Sequence, residues 1–403
     1  MRVSTVMMFE RSVTSMNRQQ SAFMEVGEQI ASGKRVVRPS DDPQAAASAL
    51  GVSQSLATNS QQSDSRVTVT NSLSQEESVL NSVTDSLTRA KELLVQAGNG
   101  TLSDADRESM AAELEGVYEA LIGQANSTDG NGSYLFGGYK DGAEPFVKDT
   151  DGAIQYQGSD TVRQQKVGSS RLMEVGDTGS DVFQSVAAGA GYVAEADSGN
   201  SGSVTFTGPS VTDTTAEGYG QAYTVTFDDT AEPTTYQVIN SEGDAVASGD
   251  YEEGQSISFA GISLTREGTP ENGDSIEVGK AADMDPDIFT TLENMLSALK
   301  NPLDSDADKA AFANTLSTSS REVDNALDNV LTVRASVGAR LNELDTLETV
   351  GSDRELAYTQ TQSDLIDLDY NTAVSDYVLR QVGLQAAQKA FVDLQGTSLF
   401  ELM

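Results

Sequence analysis

Three aspartates at alternating positions form the best-spaced candidate for a metal site in the sequence. The stretch DSDADK places Asp304, Asp306 and Asp308 at positions 1, 3 and 5 of a calcium-binding loop. Such a loop also needs a glycine at position 6 and a bidentate glutamate at position 12. Lys309 and Thr315 stand at those positions. The spacing therefore favours the capping of a helix, and we predict no metal here.

Other patterns that support catalysis in enzymes are weak in this chain. The stretch GAGYVA (residues 189–194) fits a dinucleotide-binding loop, but no strand–turn–helix pattern surrounds it. Paired carboxylates hydrolyse glycosides without histidine, yet among 62 acidic residues chance pairs occur throughout. The chain has no histidine and no cysteine, the usual general base and thiolate nucleophile. We predict that the protein is not an enzyme and carries no cofactor.

The charge of the chain argues against two classes of partner. The formal net charge is −37, and residues 177–287 hold 21 acidic side chains against Arg266 and Lys280 alone. Nucleic acid binds to cationic surfaces, so it is not an expected partner. The chain has no run of eighteen apolar residues, which predicts no membrane span. Its first twenty residues lack the apolar segment and cleavage site of a signal peptide.

Apolar residues at both ends of the chain repeat with the alternating three-and-four spacing of a coiled coil. Each end therefore predicts an amphipathic helix with one apolar stripe that the helix cannot bury alone. We name these two stripes together the terminal seam and predict that it is an assembly surface. Its residues are Val6, Phe9, Val13, Met16, Phe23, Ile30, Ile366, Tyr370, Tyr377, Leu384, Ala387, Phe391 and Leu394.

Two longer helices are predicted between the ends. The first begins near Pro43 and stops at GNG (residues 98–100), and the second ends before Gly351. Their stripes predict the core of an intramolecular helical bundle. The stripe of the first is formed by Val69, Leu73, Glu76, Leu80, Val83, Leu87, Ala90 and Leu94.

The middle of the chain changes from helical to alternating periodicity. β-Branched and aromatic residues alternate with polar ones and are separated by turn residues, which predicts a small antiparallel β domain. Helix then resumes, with Asp285 predicted as its N-cap and Pro286 at its first position. The alternating segments are SVTFTG (203–208), AYTVTFDD (222–229), TTYQVIN (234–240) and SISFAGISLT (256–265).

A short segment near the start of the chain predicts a joint between two helices. Gly33 ends the first helix, the basic run KRVVR with Pro39 holds the chain extended, and Ser40 or Asp42 caps the next helix. Pro43 suits the first turn of that helix. We name this segment the linker joint and predict its mirror image around Gly351 on the return path. Its residues are Gly33, Pro39, Ser40, Asp41, Asp42 and Pro43.

Two separated motifs resemble one protein family. The stretch SGKRVVRPSDDPQAAASAL (32–50) is similar to the N-terminal segment that bacterial flagellins share with the neighbouring hook-associated protein. The stretches VRASVGARLNELDTLE (333–348) and SDLIDLDYNTAVSDYVLRQVGLQAAQKAF (363–391) resemble the matching C-terminal segment. The resemblance covers roughly half of the chain and identifies it as a member of the flagellin family.

Further segments resemble the hook-associated type that joins hook and filament. They are SYLFGGYKDGAEPF (133–146), AIQYQGSDTVRQQKVG (153–168), DVF (181–183) and the terminal SLFELM. A filament flagellin usually carries a QAN-type stretch and ends in leucines, whereas this chain has QKAFVDLQGTSLFELM. A divergent filament flagellin is the alternative. A secreted adhesin that presents the β domain is a third class, which a ligand of isolated residues 177–285 would reveal.

The resemblance implies a fold and a set of partners. The fold is mainly α, a discontinuous scaffold of long coiled-coil helices formed by both chain ends, with a small antiparallel β domain inserted in the middle. Subunits would form a ring or layer in the flagellar axis between hook-associated protein 1 and flagellin. Export would use the flagellar type III apparatus, without a cleaved signal peptide, and a cytoplasmic chaperone would guard the C-terminal helix.

The same reasoning predicts three domains. Residues 1–32 and 353–403 would form a terminal coiled-coil inner domain. Residues 33–176 and 286–352 would form a helical rod domain with a short β segment, and residues 177–285 the inserted outer β domain.

Overall fold

The structure, a computed structural model, describes residues 5–150 and 152–400, with side chains described for residue 7 and residues 9–150 and 152–393. The chain divides into two compact units. Unit 1 consists of residues 1–64 and 346–403, and unit 2 of residues 65–345. Among the described residues, no helix carries an apolar stretch that would suffice to cross a bilayer. The three-domain division remains a prediction.

Helices occupy both ends of the described chain. Local signals explain several of their boundaries, such as the capping box in which Ser103 and Asp106 bond reciprocally before the third helix. The helices are α1 (Thr5–Ser32), α2 (Pro43–Ala97), α3 (Asp104–Ala125), α4 (Gly179–Phe183), α5 (Ile288–Lys300), α6 (Asp306–Ile366) and α7 (Tyr370–Phe400).

The aspartates of the calcium-like spacing start a helix. Asp308 accepts hydrogen bonds from the backbone nitrogen and the hydroxyl of Ser305, at 2.8 and 2.6 Å. Asp306 forms an ion pair with Lys309 at 2.8 Å. The Asp308 amide in turn donates to the Ser305 hydroxyl at 3.1 Å, which satisfies one of the first amides of α6, so the prediction of a helix cap is confirmed.

Two sequence-based helix boundaries are wrong. Helix α6 does not end before Gly351 but continues to Ile366. Gly351 is buried inside this helix, and its carbonyl accepts a hydrogen bond from the Asn59 side-chain amide of α2 at 2.9 Å. The N-cap of α5 is Asp287, which accepts from the amide of Phe289 at 2.7 Å, and not Asp285.

The helical part of unit 2 has a continuous apolar core. Helices α2 and α6 run antiparallel there, because Thr84 is bonded to Arg334 and Lys91 is paired with Asp324. The predicted stripe of α2 is buried, from Val69 to Leu94, and includes Glu76. The prediction that the inner helices form an intramolecular core is therefore confirmed for the described residues of unit 2.

The β structure forms two hairpins and two larger antiparallel sheets. The hairpins are β1 (Phe146–Lys148) with β2 (Ile154–Tyr156) and β3 (Gln164–Lys166) with β4 (Leu172–Glu174). The remaining strands are β5 (Tyr192–Ala196), β6 (Thr205–Val211), β7 (Tyr223–Asp228), β8 (Thr235–Asn240), β9 (Ala245–Asp250), β10 (Ser256–Phe259), β11 (Ile262–Glu267) and β12 (Ser275–Lys280).

The two larger sheets enclose one apolar core. Their strand orders are β5–β12–β7–β8–β9 and β10–β11–β6. Inward residues of both sheets, such as Val225, Val278 and Leu264, are fully buried in one cluster, as expected of a β-sandwich. The GAGYVA stretch runs into edge strand β5 and not into a strand–turn–helix unit. The predicted fold class, mainly α with an inserted antiparallel β domain, is confirmed.

A cluster of aromatic rings ties α4, α5 and the first hairpin together. Phe183 of α4 lies 5.3 Å from Phe136, 5.3 Å from Phe146 and 5.8 Å from Phe289, measured between ring centroids. Two of these pairs are edge-to-face, the geometry that aromatic rings prefer. The helix that precedes the β-sandwich is therefore fixed by buried aromatic packing.

Candidate assembly surface

Helices α1 and α7 pack side by side within unit 1. The rings of Phe9 and Phe391 lie 5.1 Å apart, and those of Phe23 and Tyr377 lie 4.7 Å apart. Residue numbers at the contacts rise along α1 while they fall along α7, so the two helices are antiparallel. The two predicted stripes thus bury much of their apolar surface against each other.

Most residues of the terminal seam are half-buried in this helix pair. Exceptions are Phe9, which is 42% exposed, and Tyr370, which is 54% exposed. Ile366 is the last residue of α6, so it does not share a helix with the other C-terminal seam residues. The side chains of Val6 and Leu394 lie outside the described residues. The half-buried seam residues are Val13, Met16, Phe23, Ile30, Ile366, Tyr377, Leu384, Ala387 and Phe391.

Small residues lie at the contact between the two helices. A Cβ atom on Gly27 would lie 3.7 Å from the Tyr377 ring, and one on Gly383 would lie 3.5 Å from the Gln19 side chain. Both are ordinary contact distances, and Ala373 is 6% exposed. The pair is therefore closely packed on the side that the seam occupies.

The linker joint is a tight turn stabilised by its own polar groups. Gly33 follows α1 with a φ of +70°, the left-handed conformation that glycine adopts readily. Pro39 and Ser40 form the tip of a turn in which Asp41 accepts from the Arg38 amide at 2.7 Å. Asp42 caps α2 by accepting from the Ala45 amide at 3.0 Å. Pro43 is the first residue of α2.

The linker joint pairs with a break in the returning chain at residues 367–369. The Arg35 amide donates to the carbonyl of Ile366 at 2.8 Å, and the Leu368 amide donates to the carbonyl of Gly33 at 3.1 Å. The Arg35 guanidinium also donates to the carbonyl of Leu365 at 2.6 Å. The return joint therefore lies here, and its predicted position around Gly351 is wrong.

The carboxylates at the two joints are held in their ionised form. The amide of Ala45 and then the Arg35 guanidinium lower the pKa of Asp42. Asp369 caps α7, and bonds from the hydroxyl and amide of Thr372 lower its pKa. Hydrogen bonds to an ionised carboxylate favour that form. Charged caps thus fix the N-termini of helices α2 and α7.

Gly33 offers a test of the linker joint. We expect Gly33→Ala to destabilise the helix pair by about 1 to 2 kcal/mol, because alanine is strained at positive φ. The new Cβ would also lie 3.0 Å from the Tyr370 hydroxyl. Hydrogen exchange of the α1 amides measures the effect. The control is Gly51→Ala inside α2, where no atom lies within 4 Å of the added Cβ. Equal exchange in the two variants would contradict the assignment.

A second apolar stripe on α7 faces away from the seam. Val374, Val378 and Val382 follow one another at intervals of four residues and are 50%, 49% and 57% exposed. By the helical period of about 100° per residue, they lie roughly 100° to 180° around the helix from Ala373. We name these three valines the outer stripe. Other exposed apolar side chains of the helix pair are Met7, Phe9, Met24, Tyr370, Leu379 and Val392.

Sequence reasoning missed the outer stripe. A single coiled-coil register assigns one face of α7 to the seam and ignores the rest. The overlooked signal is that apolar residues occur around most of the circumference of α7. A helix of this kind is normally buried on more than one side. Chemically, the surface offers apolar contact.

Comparison with known proteins points in one direction. Residues 3–141 match the bacterial flagellin N-terminal helical region. The chain is 36% identical over 403 residues to flagellar hook-associated protein 3 of Escherichia coli (strain K12), which covers 100% of this chain and 99% of that protein. The crystal structure of the flagellar junction protein FlgL from Legionella pneumophila superposes with a TM-score of 0.66 and 29% identity. It covers 79% of this chain and 100% of that one.

Similarity to filament proteins is partial. The flagellar filament 41 kDa core protein of Borreliella burgdorferi is 40% identical over 98 residues. That match covers 23% of this chain and 28% of the filament protein.

Proposed function

Because the chain belongs to the family of flagellar hook-associated protein 3, we propose that it is the structural protein that joins the hook of a bacterial flagellum to the filament. It acts by assembly and not by catalysis. Filament growth and motility depend on it, since flagellin subunits add to the surface that it presents. The similarity over the full chain supports this function.

The outer stripe on α7 is the observation that carries the proposal. Three half-exposed valines follow one another along α7, and contiguous exposed apolar side chains often mark an interaction surface. In an axial ring or layer, helix pairs of neighbouring copies would cover one another's outer stripes. The outer stripe is then buried only in the assembled layer, so its burial stabilises the assembly and not the single subunit.

The two faces of such a layer would meet different proteins. The family resemblance supports hook-associated protein 1 on one side and flagellin on the other. The same exposed valines need cover before assembly, and a cytoplasmic chaperone on the C-terminal helix would provide it. The protein would leave the cell through the flagellar type III apparatus without a cleaved signal peptide and act outside the cell.

A divergent filament flagellin is the second candidate. The flagellin family match to the N-terminal helical region would suit both candidates. The extent of similarity favours the junction protein, since the filament match covers 23% of the chain and the hook-associated match covers all of it. The similarity over the full chain to a hook-associated protein likewise favours the junction protein over an adhesin.

Location along the flagellum tests the proposal. An epitope inserted in the β8–β9 turn at Gly243, where no atom lies within 4 Å of an added Cβ, should leave the fold intact. We expect gold-labelled antibody at one point on each flagellum, the boundary of hook and filament. Deletion of the gene should abolish filaments and leave flagellin in the medium. Label along the filament would instead identify a flagellin.

A further inference from the structure

One acidic residue occupies a core position of α2. Glu76 lies in the stripe between Leu73 and Leu80 and is 1% exposed. An isolated ionised carboxylate at such a position costs far more free energy than a neutral one. Its surroundings therefore decide which form it takes.

The contacts of Glu76 come from a segment of the chain a hundred residues away. The Asp177 amide donates to one Glu76 carboxyl oxygen at 3.0 Å. The other oxygen is buried and has no hydrogen-bond partner within the described residues. A Cβ atom on Gly176 would lie 3.2 Å from it, so the glycine makes room for the carboxyl group.

Arg340 of α6 approaches the same segment from the opposite helix. Its guanidinium forms an ion pair with the Asp177 carboxylate and donates to the carbonyl of Gly176 at 3.3 Å. Gly176 and Asp177 are thus clamped between α2 and α6, immediately before Thr178 caps α4. We name Glu76, Asp177 and Arg340 the buried triad.

The charges of the buried triad balance only with one extra proton. Two ionised carboxylates against a single guanidinium would leave a net negative charge in a buried site. Other charged groups nearby do not supply the deficit: Asp129 and Arg163 line a cavity of about 20 Å³ beside Asp177, and Arg163 is paired with Asp141. That cavity has room for one water molecule and not for a ligand.

We propose that Glu76 is held in its protonated form, and that this proton locks residues 175–178 between α2 and α6 until a rise in pH removes it. The lock is independent of the assembly surface, because all of its members lie in unit 2. It acts where the chain leaves the helical bundle for α4 and the β-sandwich. Segment 175–178 is held at low pH and loosens as the pH rises.

Burial, and then the charge of Asp177, raise the pKa of Glu76 well above its usual range, while Arg340 lowers it. A carboxyl group whose pKa is raised on folding stabilises the fold most below its pKa in the unfolded chain. That contribution is lost as the pH rises through the higher pKa of the folded state. The expected effect of the triad on stability is therefore a loss toward alkaline pH, opposite to that of an ordinary ion-paired carboxylate.

The test is hydrogen exchange of the amides of residues 175–183 at pH 6 and pH 9, expressed as protection factors. In the wild-type protein we expect these factors to fall about tenfold or more between the two pH values, the ratio that one unit of pKa shift produces. Glu76→Gln should abolish the fall, because glutamine accepts from the Asp177 amide and donates as a protonated carboxyl group does. The control is Asp85→Asn, which removes an exposed charge from the same helix.

Each outcome decides the matter. A fall in the Glu76→Gln variant equal to that of the wild type would overturn the proposal, as would pH-independent protection in the wild type. Failure of Glu76→Gln to fold would also count against it, since the neutral amide should suit the buried site. A lost pH dependence in Asp85→Asn would show that the net charge, and not the triad, is responsible.

Discussion

Phe183→Ala is expected to lower the free energy of unfolding of unit 2 by about 3 to 5 kcal/mol, the usual cost of truncating a buried aromatic residue. Phe183 is 2% exposed and contacts three other phenylalanine rings. These rings belong to the loop between α3 and β1, to β1 and to α5. The cavity that the substitution leaves therefore cannot close by the movement of one element. Urea unfolding followed by circular dichroism measures the change.

The control for Phe183→Ala is an aromatic residue of the same unit that faces solvent. Tyr139 is 59% exposed, and Tyr139→Ala should change the free energy of unfolding by less than about 0.5 kcal/mol. A loss below about 1 kcal/mol for Phe183→Ala would mean that the aromatic cluster does not hold α4 against the bundle.

The second large effect is expected on assembly and not on folding. Val378→Asp combined with Val382→Asp places two charges on the outer stripe, where the side chains are 49% and 57% exposed. In a single subunit these charges stay in water and cost little. In a packed layer they must be buried without partners, at a cost of several kcal/mol in every subunit. We expect cells that produce the variant to release unpolymerised flagellin and to lose motility.

Two measurements separate failed assembly from failed export. The variant protein is quantified in the medium, because a chaperone that guards α7 would recognise the same face. Val246→Asp provides the matched control, since it adds a charge to a valine of β9 that is 45% exposed. Normal filaments with secreted Val378→Asp, Val382→Asp protein would show that the outer stripe is not an assembly surface.

Periodicity alone was enough to predict which segments are helical and which form the inserted β domain. The stripe spacings predicted one amphipathic helix at each chain end, and in the structure the Phe9–Phe391 and Phe23–Tyr377 contacts join α1 and α7. The strands β7 and β8 lie within predicted alternating segments. These features depend on residues that are close in sequence, so a local pattern carries them.

Local patterns failed where a distant residue overrides a local preference. Glycine is common just after the end of a helix, yet α6 continues through Gly351. The Gly351 carbonyl accepts a hydrogen bond from Asn59 of α2. The N-cap of α5 is Asp287 rather than Asp285, and Gln184 donates to its carboxylate at 2.5 Å. Neither partner is visible in the spacing of nearby residues.

The sequence by itself determined the helical and β segments and the family, because periodicity, turn residues and motifs are local. Only the tertiary structure decided that the return joint lies at residues 367–369, where the chain bonds to Gly33 and Arg35. It also decided that the outer stripe stays exposed, since a helix that is apolar around most of its surface does not specify which side its partner covers. Glu76 was one more stripe residue until Asp177 and Arg340 were seen beside it. Burial and charge balance depend on what folding brings together, and residues a hundred or more positions apart supply both.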